Sequence, residues 1–250
     1  MQQSVGLTLP TQYLGMLARD GHANPAAFSY ATDQIFRGVD LQGKRILEIG
    51  SGRGLMALLM GLHGAAQVVS LEPELAGATA GVIALQRERI EALQLSNVDV
   101  VAADFNTWSG PAGSFDLIVS RASINHLCQS DRHALHDPVT YERYVRMARK
   151  IHSLLAPEGL FIATDACRYA FFTMLRDFGV SRPWRPARTG INWRHHQNPG
   201  TWKKIFRDAG FGRVTISFPV PHRLKPIAFL MDTAAANFFL KGSFILRAHV

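Results

Sequence analysis

Cysteine is scarce in this sequence, whose 250 residues include only Cys128 and Cys167. Two cysteines are too few for the disulfide framework of a small secreted protein, and no Cys-x-x-Cys spacing is present for a zinc or redox site. We therefore interpret both residues as reduced thiols.

Long apolar runs are also missing. The most apolar stretch, residues 227–240, is interrupted by Asp232, Thr233 and Asn237, whereas a membrane-spanning helix needs about 20 consecutive apolar residues. Residues 1–10 lack a basic segment followed by an apolar one, so no secretion signal is predicted. The expected protein is soluble and cytoplasmic, with no membrane partner, and its 47% hydrophobic content suits one sizeable core.

Acidic side chains are few in the second half of the chain. Residues 140–250 carry 18 Lys and Arg against 6 Asp and Glu, whereas residues 1–139 carry 9 against 13. A basic surface attracts anions, which include a carboxylate or phosphate on a small substrate and the backbone of a nucleic acid. A solvated surface that only confers solubility is the alternative interpretation.

Short runs rich in Val and Ile alternate with longer helical patterns, which predicts an α/β fold with helices on both faces of a seven-stranded sheet. The predicted strands are Arg45–Ile49, Gln67–Leu71, Val98–Ala103, Phe115–Ser120, Leu160–Thr164, Val214–Phe218 and Phe244–His249. The predicted helices between them are Leu55–Leu62, Ala76–Leu93, Pro138–Leu155 and Thr201–Ala209.

Three further segments lie outside this alternation. Residues 1–40 contain two helical patterns, Pro10–Leu17 and Ala26–Phe36, and are predicted to form an N-terminal helical cap. Residues 180–200 are rich in Pro, Trp and His and too long for a plain connector, so they are expected to be a substrate loop. Residues 221–242 are a second insertion, apolar enough to pack as a helix.

A glycine-rich turn follows the first predicted strand. Residues 45–54 read as an apolar strand that ends in Gly50-Ser51-Gly52-Arg53-Gly54 and continues into a helix. Glycines let the backbone approach a ligand closely, and the N–H groups of the following helix face it. A dinucleotide-binding turn would place its third glycine at position 55, where Leu55 stands, so the spacing disfavours NAD and FAD.

This segment resembles the first motif of class I S-adenosylmethionine-dependent methyltransferases, an acidic residue followed by Gly-x-Gly-x-Gly. Glu48, Gly50, Gly52 and Gly54 match the motif, and Ser51 lies within it. The resemblance implies that Glu48 anchors the turn and the amino end of the methionine part. It also implies a Rossmann-like, mostly parallel sheet whose last strand is antiparallel, with residues 41–250 as the methyltransferase domain.

Two later motifs match the same family in order. Glu72 ends the second strand, where the resemblance implies hydrogen bonds to both ribose hydroxyls. Asp104 and Phe105 follow the third strand, where they are implied to hold the adenine amino group and to lie against its ring. Three carboxylates at the carboxyl ends of neighbouring strands suit a cationic ligand rich in hydrogen-bond donors. S-adenosylmethionine is therefore the expected cofactor.

The segment after the fourth strand, residues 121–127, is where the family's acceptor-side residues lie. We assign Arg121 to the cofactor site and His126 as the candidate base, because an imidazole can accept a hydroxyl proton near neutral pH. The alternative role for His126 is packing and loop shape.

Other chemistries find less support in the sequence. Ser120-Arg121-Ala122-Ser123 replaces the Asn-Pro-Pro-Tyr type of motif used on nucleic acid bases and glutamine. Metal-dependent catechol-type members have an Asp-Asn pair after the fifth strand, but here Ala166 follows Asp165. His126, His133 and His136 with Asp131 resemble a zinc set on an exposed loop, and we expect no metal.

Four residues are assigned to the acceptor, namely Arg168, Trp193, His195 and His196. Arg pairs with carboxylate or phosphate and aromatic walls bind planar rings, although core packing for the tryptophan and a surface position for the histidines are open alternatives. The leading hypothesis is methyl transfer to a small molecule, with oxygen of an anionic or aromatic metabolite as the expected acceptor. RNA methylation and a non-catalytic cofactor-binding subunit are the rivals, and the oligomeric state is not indicated.

Overall fold

Seven β-branched, apolar segments form the strands of a single mixed sheet. The computed structural model describes residues 9–22, 24–75, 79–128, 130, 132–171, 173–174 and 195–250. The strands are β1 Arg45–Ile49, β2 Gln67–Glu72, β3 Val98–Ala102, β4 Phe115–Arg121, β5 Leu155–Ala166, β6 Arg213–Ser217 and β7 Ser243–His249. All seven predicted strands are present, with boundary differences of one residue in most cases.

The strand order is β3-β2-β1-β4-β5-β7-β6. β1 pairs with β2 and β2 with β3 in parallel, as β4 does with β5. β7 lies antiparallel to both β5 and β6. The predicted fold class, a mostly parallel sheet that ends in an antiparallel strand, is confirmed.

β5 begins five residues before the predicted start at Leu160. The preceding helix ends at Leu154 and Leu155 is already extended, with φ −75° and ψ 139°. Pro157 prevents the helix from extending further, because a proline disfavours helical geometry at the residue before it, here Ala156. The added residues pair irregularly, and the register with β4 shifts between Phe115 and Leu117.

The helices carry their own start signals. Asn24 and Asp137 accept hydrogen bonds from the backbone of Ala27 and Thr140, and a proline occupies the first position of each helix that they cap. The helices are α1 Thr11–Arg19, α2 Pro25–Ile35, α3 Leu55–Leu62, α4 Val82–Ala92, α5 Pro138–Leu154, α6 Pro199–Asp208, α7 Ala228–Met231 and α8 Ala234–Leu240. Among the described helices, none has the length and apolarity to cross a bilayer.

Two predicted helices differ from the structure. α4 begins at Val82 rather than Ala76, because Gly81 has a left-handed φ of 78° that is incompatible with a helix interior; residues 76–78 lie outside the described part of the chain. The insertion at residues 221–242 is a 3-10 segment followed by α7 and α8 rather than one helix. Pro226 and the extended Thr233 interrupt it.

The chain divides into two compact units. The first contains Met1–Ser109 and Pro221–Lys225, and the second contains Gly110–Val220 and Pro226–Val250. In the first unit, α1 and α2 belong to the same body as β1 to β3. Residues 175–194, which include most of the predicted substrate loop, lie outside the described residues.

The core of the second unit is built around aromatic side chains of α5 and α6. Trp202 is fully buried, and its ring lies edge-on to that of Tyr144 with centroids 4.9 Å apart. Phe206 stacks on Phe161 of β5 at 5.0 Å. These contacts join α6 to both α5 and the sheet, so α6 is part of the core rather than a surface addition.

Replacing Trp202 by Ala should lower the free energy of unfolding by about 3–5 kcal/mol, because the change leaves a large cavity in this core. The matched control is Phe229→Ala, in which an aromatic side chain that is 80% exposed is removed. Its unfolding free energy should stay within about 0.5 kcal/mol of the wild-type value. Urea unfolding followed by circular dichroism measures both, and equal losses in the two variants would contradict the assigned burial.

Candidate functional site

The glycine turn, residues 50–54, joins β1 to α3 through left-handed backbone. Gly50, Gly52 and Gly54 have φ values of 71°, 53° and 77°, a region that residues with a Cβ enter at a cost. The N–H groups of Gly50 and Ser51 both donate to the carbonyl of Leu71, at 2.9 and 3.2 Å. The turn is therefore fixed to the carboxyl end of β2.

Glu72 links the same two elements through its side chain. One carboxylate oxygen accepts from the N–H of Gly52 at 2.8 Å, and the other accepts from the N–H of Glu74 at 3.2 Å. Glu72 is 3% exposed and Glu48, in β1, is 2% exposed. Each carboxylate oxygen has two lone pairs, so Glu72 can accept further hydrogen bonds from a ligand.

The turn has space on one side and protein on the other. A Cβ built at Gly52 would meet nothing within 4 Å, whereas one built at Gly54 would lie 2.8 Å from Cγ of Gln86. Gly54 is thus required for contact with α4, and Gly52 leaves a cradle that a side chain would fill. Such a cradle beside a backbone N–H suits a ligand that approaches the main chain.

Gln86 of α4 holds the turn from behind. It is 1% exposed, and its Nε2 donates to Oγ of Ser51 at 3.0 Å and to the carbonyl of Gly52 at 2.6 Å. Its Oε1 accepts from Oγ of Ser70 at 2.6 Å. The sequence analysis missed Gln86, because a glutamine within a helical pattern gives no sign that it is buried.

An ion pair that was also missed ties the N-terminal region to the turn. Arg89 of α4 binds both carboxylate oxygens of Asp20 at 2.8 Å and donates to the carbonyl of Arg53 at 2.9 Å. Burial of Asp20 opposes its ionisation, but the hydrogen bonds and charges of Arg89 and Arg53 outweigh burial and lower the pKa of Asp20. Tyr13 of α1 adds a hydrogen bond to the carbonyl of Leu55 at 2.8 Å.

The predicted adenine-side residues differ in exposure. Asp104 is exposed, and its Oδ1 accepts from the N–H of Asn106 at 2.7 Å, which closes a turn after β3. Phe105 is only 2% exposed and contributes to the core. Glu48 lies within β1, Glu72 ends β2 and Asp104 follows β3, so all three lie toward the carboxyl ends of these parallel strands. These acceptors and the cradle at Gly52 fit a nucleoside with a cationic, amino-bearing tail.

The structure brings three predicted acceptor-side histidines together in the second unit. The histidine cluster consists of His126, His195 and His196. The ring centroid of His126 lies 6.5 Å from that of His195 and 5.5 Å from that of His196, and the latter pair is edge-to-face. Arg168 joins the cluster by donating to the carbonyl of His196 at 3.3 Å.

The histidines of the cluster differ in environment. His126 is exposed at the end of a 3-10 turn that follows β4. His196 is 2% exposed, so a surface position for this residue is wrong. Its Nε2 lies 3.6 Å from Oδ1 of Asp165, a buried carboxylate at the end of β5. The cluster therefore combines one accessible imidazole with a buried histidine beside a carboxylate.

Asn125 connects the two segments that carry these histidines. Its fully buried side chain accepts from the N–H of Gln197 at 2.9 Å and from Nε1 of Trp202 at 3.3 Å. Its own backbone N–H donates to Asp165 at 3.2 Å, and its carbonyl accepts from the Tyr144 hydroxyl at 3.3 Å. Burial raises the pKa of Tyr144, so this hydroxyl remains a donor. Sequence reasoning missed Asn125 although it neighbours His126.

The remaining predicted residues are more dispersed. Arg121 is half-buried at the end of β4, in the second unit, and Trp193 lies outside the described residues. His133 is buried at the start of a 3-10 turn, and burial together with the nearby Arg168 and His136 lowers the pKa of His133. Within the described ranges, which omit Asp131, no group of three or more His, Cys, Asp or Glu residues could hold a metal ion.

Comparisons with known proteins agree with this geometry. A family model described as a methyltransferase domain matches residues 24–216, whereas none of the curated proteins matches the sequence significantly. An S-adenosylmethionine-dependent methyltransferase from Aquifex aeolicus superimposes with a TM-score of 0.59 at 14% identity, covering 92% of this chain and 96% of its own. One from Mesorhizobium loti gives 0.58 at 19% identity, covering 88% and 98%.

A third similar structure is a Haemonchus contortus phosphoethanolamine N-methyltransferase in complex with phosphomonomethylethanolamine and S-adenosylhomocysteine. Its TM-score is 0.57 at 16% identity, over 88% of this chain and 51% of that one. At such identities these structures establish the fold, and the family model, which covers most of the chain, establishes the family. The chain belongs to the class I S-adenosylmethionine-dependent methyltransferases.

Proposed function

We propose that the protein methylates an oxygen atom of a small anionic or aromatic metabolite, with His126 as the base. The observation that carries this proposal is the histidine cluster, in which an exposed imidazole lies 5.5 Å from a buried one that neighbours a carboxylate. His126 follows the carboxyl end of β4, and His196 lies beside Asp165 near the carboxyl end of β5. The carboxyl ends of parallel strands are where α/β sheets bind ligands.

In this proposal the glycine turn holds the cofactor. The cradle at Gly52 admits its methionine part, with Gly50, Ser51 and Gly54 shaping the turn and Glu48 facing the amino end. Glu72 accepts from the ribose hydroxyls, and Asp104 with Phe105 borders the adenine. When bound, S-adenosylmethionine supplies a methyl group on a positively charged sulfur, whose transfer leaves the bonding electron pair on sulfur.

Methyl transfer to a hydroxyl requires that the acceptor lose a proton as the new O–C bond forms. An exposed neutral imidazole can take that proton, and His126 is the exposed histidine of the cluster. In the proposal, the buried Asp165 carboxylate orients His196. The edge-to-face contact between the imidazole rings of His196 and His126 then orients His126. Transfer is otherwise a matter of alignment, which rigid neighbours provide.

An anionic acceptor is supported by the charge around the cluster. Arg168 is half-buried beside His196, and Arg pairs with carboxylate or phosphate through its planar fork of donors. His195 completes the described part of the proposed acceptor site, and Arg121 is proposed to act on the cofactor side. The Haemonchus contortus protein was solved with a small phosphate-bearing molecule, which is consistent with a basic acceptor site in proteins of this fold.

Gly52→Ala tests the cofactor placement, because its methyl group fills the cradle. The dissociation constant for S-adenosylhomocysteine, measured by isothermal titration, should rise by roughly tenfold or more, since overfilling a fitted site costs about 1–3 kcal/mol. Gly43→Ala is the matched control, with a similar φ of 71° and equally open surroundings before β1. Gly43→Ala should lower the free energy of unfolding to a similar extent and leave the affinity for S-adenosylhomocysteine unchanged. If Gly52→Ala and Gly43→Ala bind S-adenosylhomocysteine equally well, the cradle does not hold the cofactor.

His126→Gln tests the base. The rate of methyl transfer should fall by about 10²–10⁴-fold while the affinity for S-adenosylhomocysteine stays unchanged. His136→Gln is the control, since His136 is likewise an exposed histidine at the end of a 3-10 turn. A His126 variant with the wild-type rate would leave the residue a purely structural role.

The acceptor class is tested by incubating the protein with methyl-labelled S-adenosylmethionine and separate pools of small metabolites and RNA. The proposal expects label on an oxygen of a small anionic or aromatic molecule. Label on RNA, in a reaction whose rate falls steeply as salt is added, would replace the small-molecule proposal with RNA methylation. A nitrogen- or carbon-methylated product would reject the oxygen acceptor, and cofactor binding without transfer to any pool would favour a non-catalytic subunit.

A further inference from the structure

Three successive peptide groups of the glycine turn are each held by a different side chain. The N–H of Gly52 is bound by Glu72 at 2.8 Å, the carbonyl of Gly52 by Gln86 at 2.6 Å, and the carbonyl of Arg53 by Arg89 at 2.9 Å. Glu72 is a proposed cofactor ligand, but Gln86 and Arg89 reach the turn from α4 and belong to no predicted site.

We propose that Gln86 and Arg89 are positioning residues for the cofactor turn, and that Asp20 couples the docking of α1 to cofactor affinity by holding Arg89. This inference rests on the cofactor placement proposed above. It concerns residues that touch only the protein, and it is independent of the acceptor.

Gln86 suits this position because an amide is both a donor and an acceptor. Its NH2 group donates to Oγ of Ser51 and to the carbonyl of Gly52, while its oxygen accepts a hydrogen bond from the hydroxyl of Ser70 in β2. A turn with alternating left-handed residues has other accessible conformations, since glycines adopt many backbone angles. Gln86 and Arg89 of α4 bind the consecutive carbonyls of Gly52 and Arg53, which holds the turn in a single conformation before the ligand binds. Less conformational entropy is then lost on binding.

Arg89 depends on Asp20 for its own orientation. The guanidinium and the carboxylate form a two-point pair at 2.8 Å, and both side chains are 4% exposed. Without the carboxylate, the buried cation would have to find another acceptor and would leave the carbonyl of Arg53. Asp20 directly follows α1, and Tyr13 of the same helix binds the carbonyl of Leu55. α1 is therefore linked to the turn at its carboxyl end, through Arg89, and to the start of α3 near its amino end, through Tyr13.

The first test compares two isosteric substitutions. Gln86→Met removes the hydrogen bonds to the turn, whereas Asn97→Leu removes two similar bonds, to the carbonyls of Gly61 and Ala65, near the other end of α3. Isothermal titration should show that the dissociation constant for S-adenosylhomocysteine rises about tenfold in Gln86→Met. It should stay within about twofold of wild type in Asn97→Leu, although both variants lose thermal stability.

The second test is a double-mutant cycle with Asp20→Asn, Arg89→Gln and the combined variant, which leaves no unpaired buried charge. Asp20→Asn should weaken binding of S-adenosylhomocysteine, although Asp20 is not a proposed ligand and contacts the turn itself only through the side chain of Arg53. The combined variant should bind no more weakly than Arg89→Gln alone, because Asp20 acts through Arg89. Wild-type affinity in all three variants, with only the melting temperature lowered, would reduce the ion pair to a structural role.

Asp104→Ala separates this inference from the cofactor placement. Asp104 is exposed and outside the Asp20–Arg89–Gln86 network, but it is a proposed adenine ligand. If Asp104→Ala weakens binding while Gln86→Met and Asp20→Asn do not, the positioning roles are overturned and the placement survives. If Asp104→Ala binds as well as wild type, the placement fails, and the inference fails with it.

Discussion

The hydrogen bond between the Glu72 carboxylate and the Gly52 amide is the contact on which the first unit's site depends. It joins the carboxyl end of β2 to a turn whose glycines adopt left-handed angles. The parallel register of β1 and β2 places these two points side by side, with Ile49 opposite Leu71. A carboxylate that binds the turn in this way is held in one orientation, so its remaining lone pairs face a defined direction.

Buried amides play a corresponding part in each unit. Gln86 in the first unit and Asn125 in the second are at most 1% exposed, and each satisfies backbone groups of irregular segments. Leaving such backbone groups buried without partners would cost about 1–3 kcal/mol each. Irregular chain can therefore stay ordered near the ends of the strands because amide side chains replace the hydrogen bonds that helix and sheet supply elsewhere.

The sequence predicted the parts of the fold and site whose chemistry is local. Strand periodicity, the glycine spacing and the acids at strand ends are all contained in short windows of the sequence. His126, His195 and His196 were all assigned to the acceptor side, and the structure brings these three side chains together. The sequence did not reveal the roles of four residues whose hydrogen-bond partners are distant in sequence, namely Gln86, Arg89, Asp20 and Asn125. A polar residue within a helical pattern looks the same whether it faces water or a buried carbonyl. The starts of α4 and β5 were misplaced because Gly81 is left-handed within the predicted helix and Leu155 is already extended where the preceding helix was expected to end.

The strand order has a consequence for how the chain folds during synthesis. β7 is the last of the seven strands in the sequence but lies between β5 and β6, and it pairs with seven residues of β5. Until β7 leaves the ribosome, β5 and β6 both present open backbone edges, which are templates for pairing with other chains. The nascent protein is therefore most exposed to aggregation in the interval between the synthesis of β5 and that of β7, and chaperones would be most useful to it in that interval.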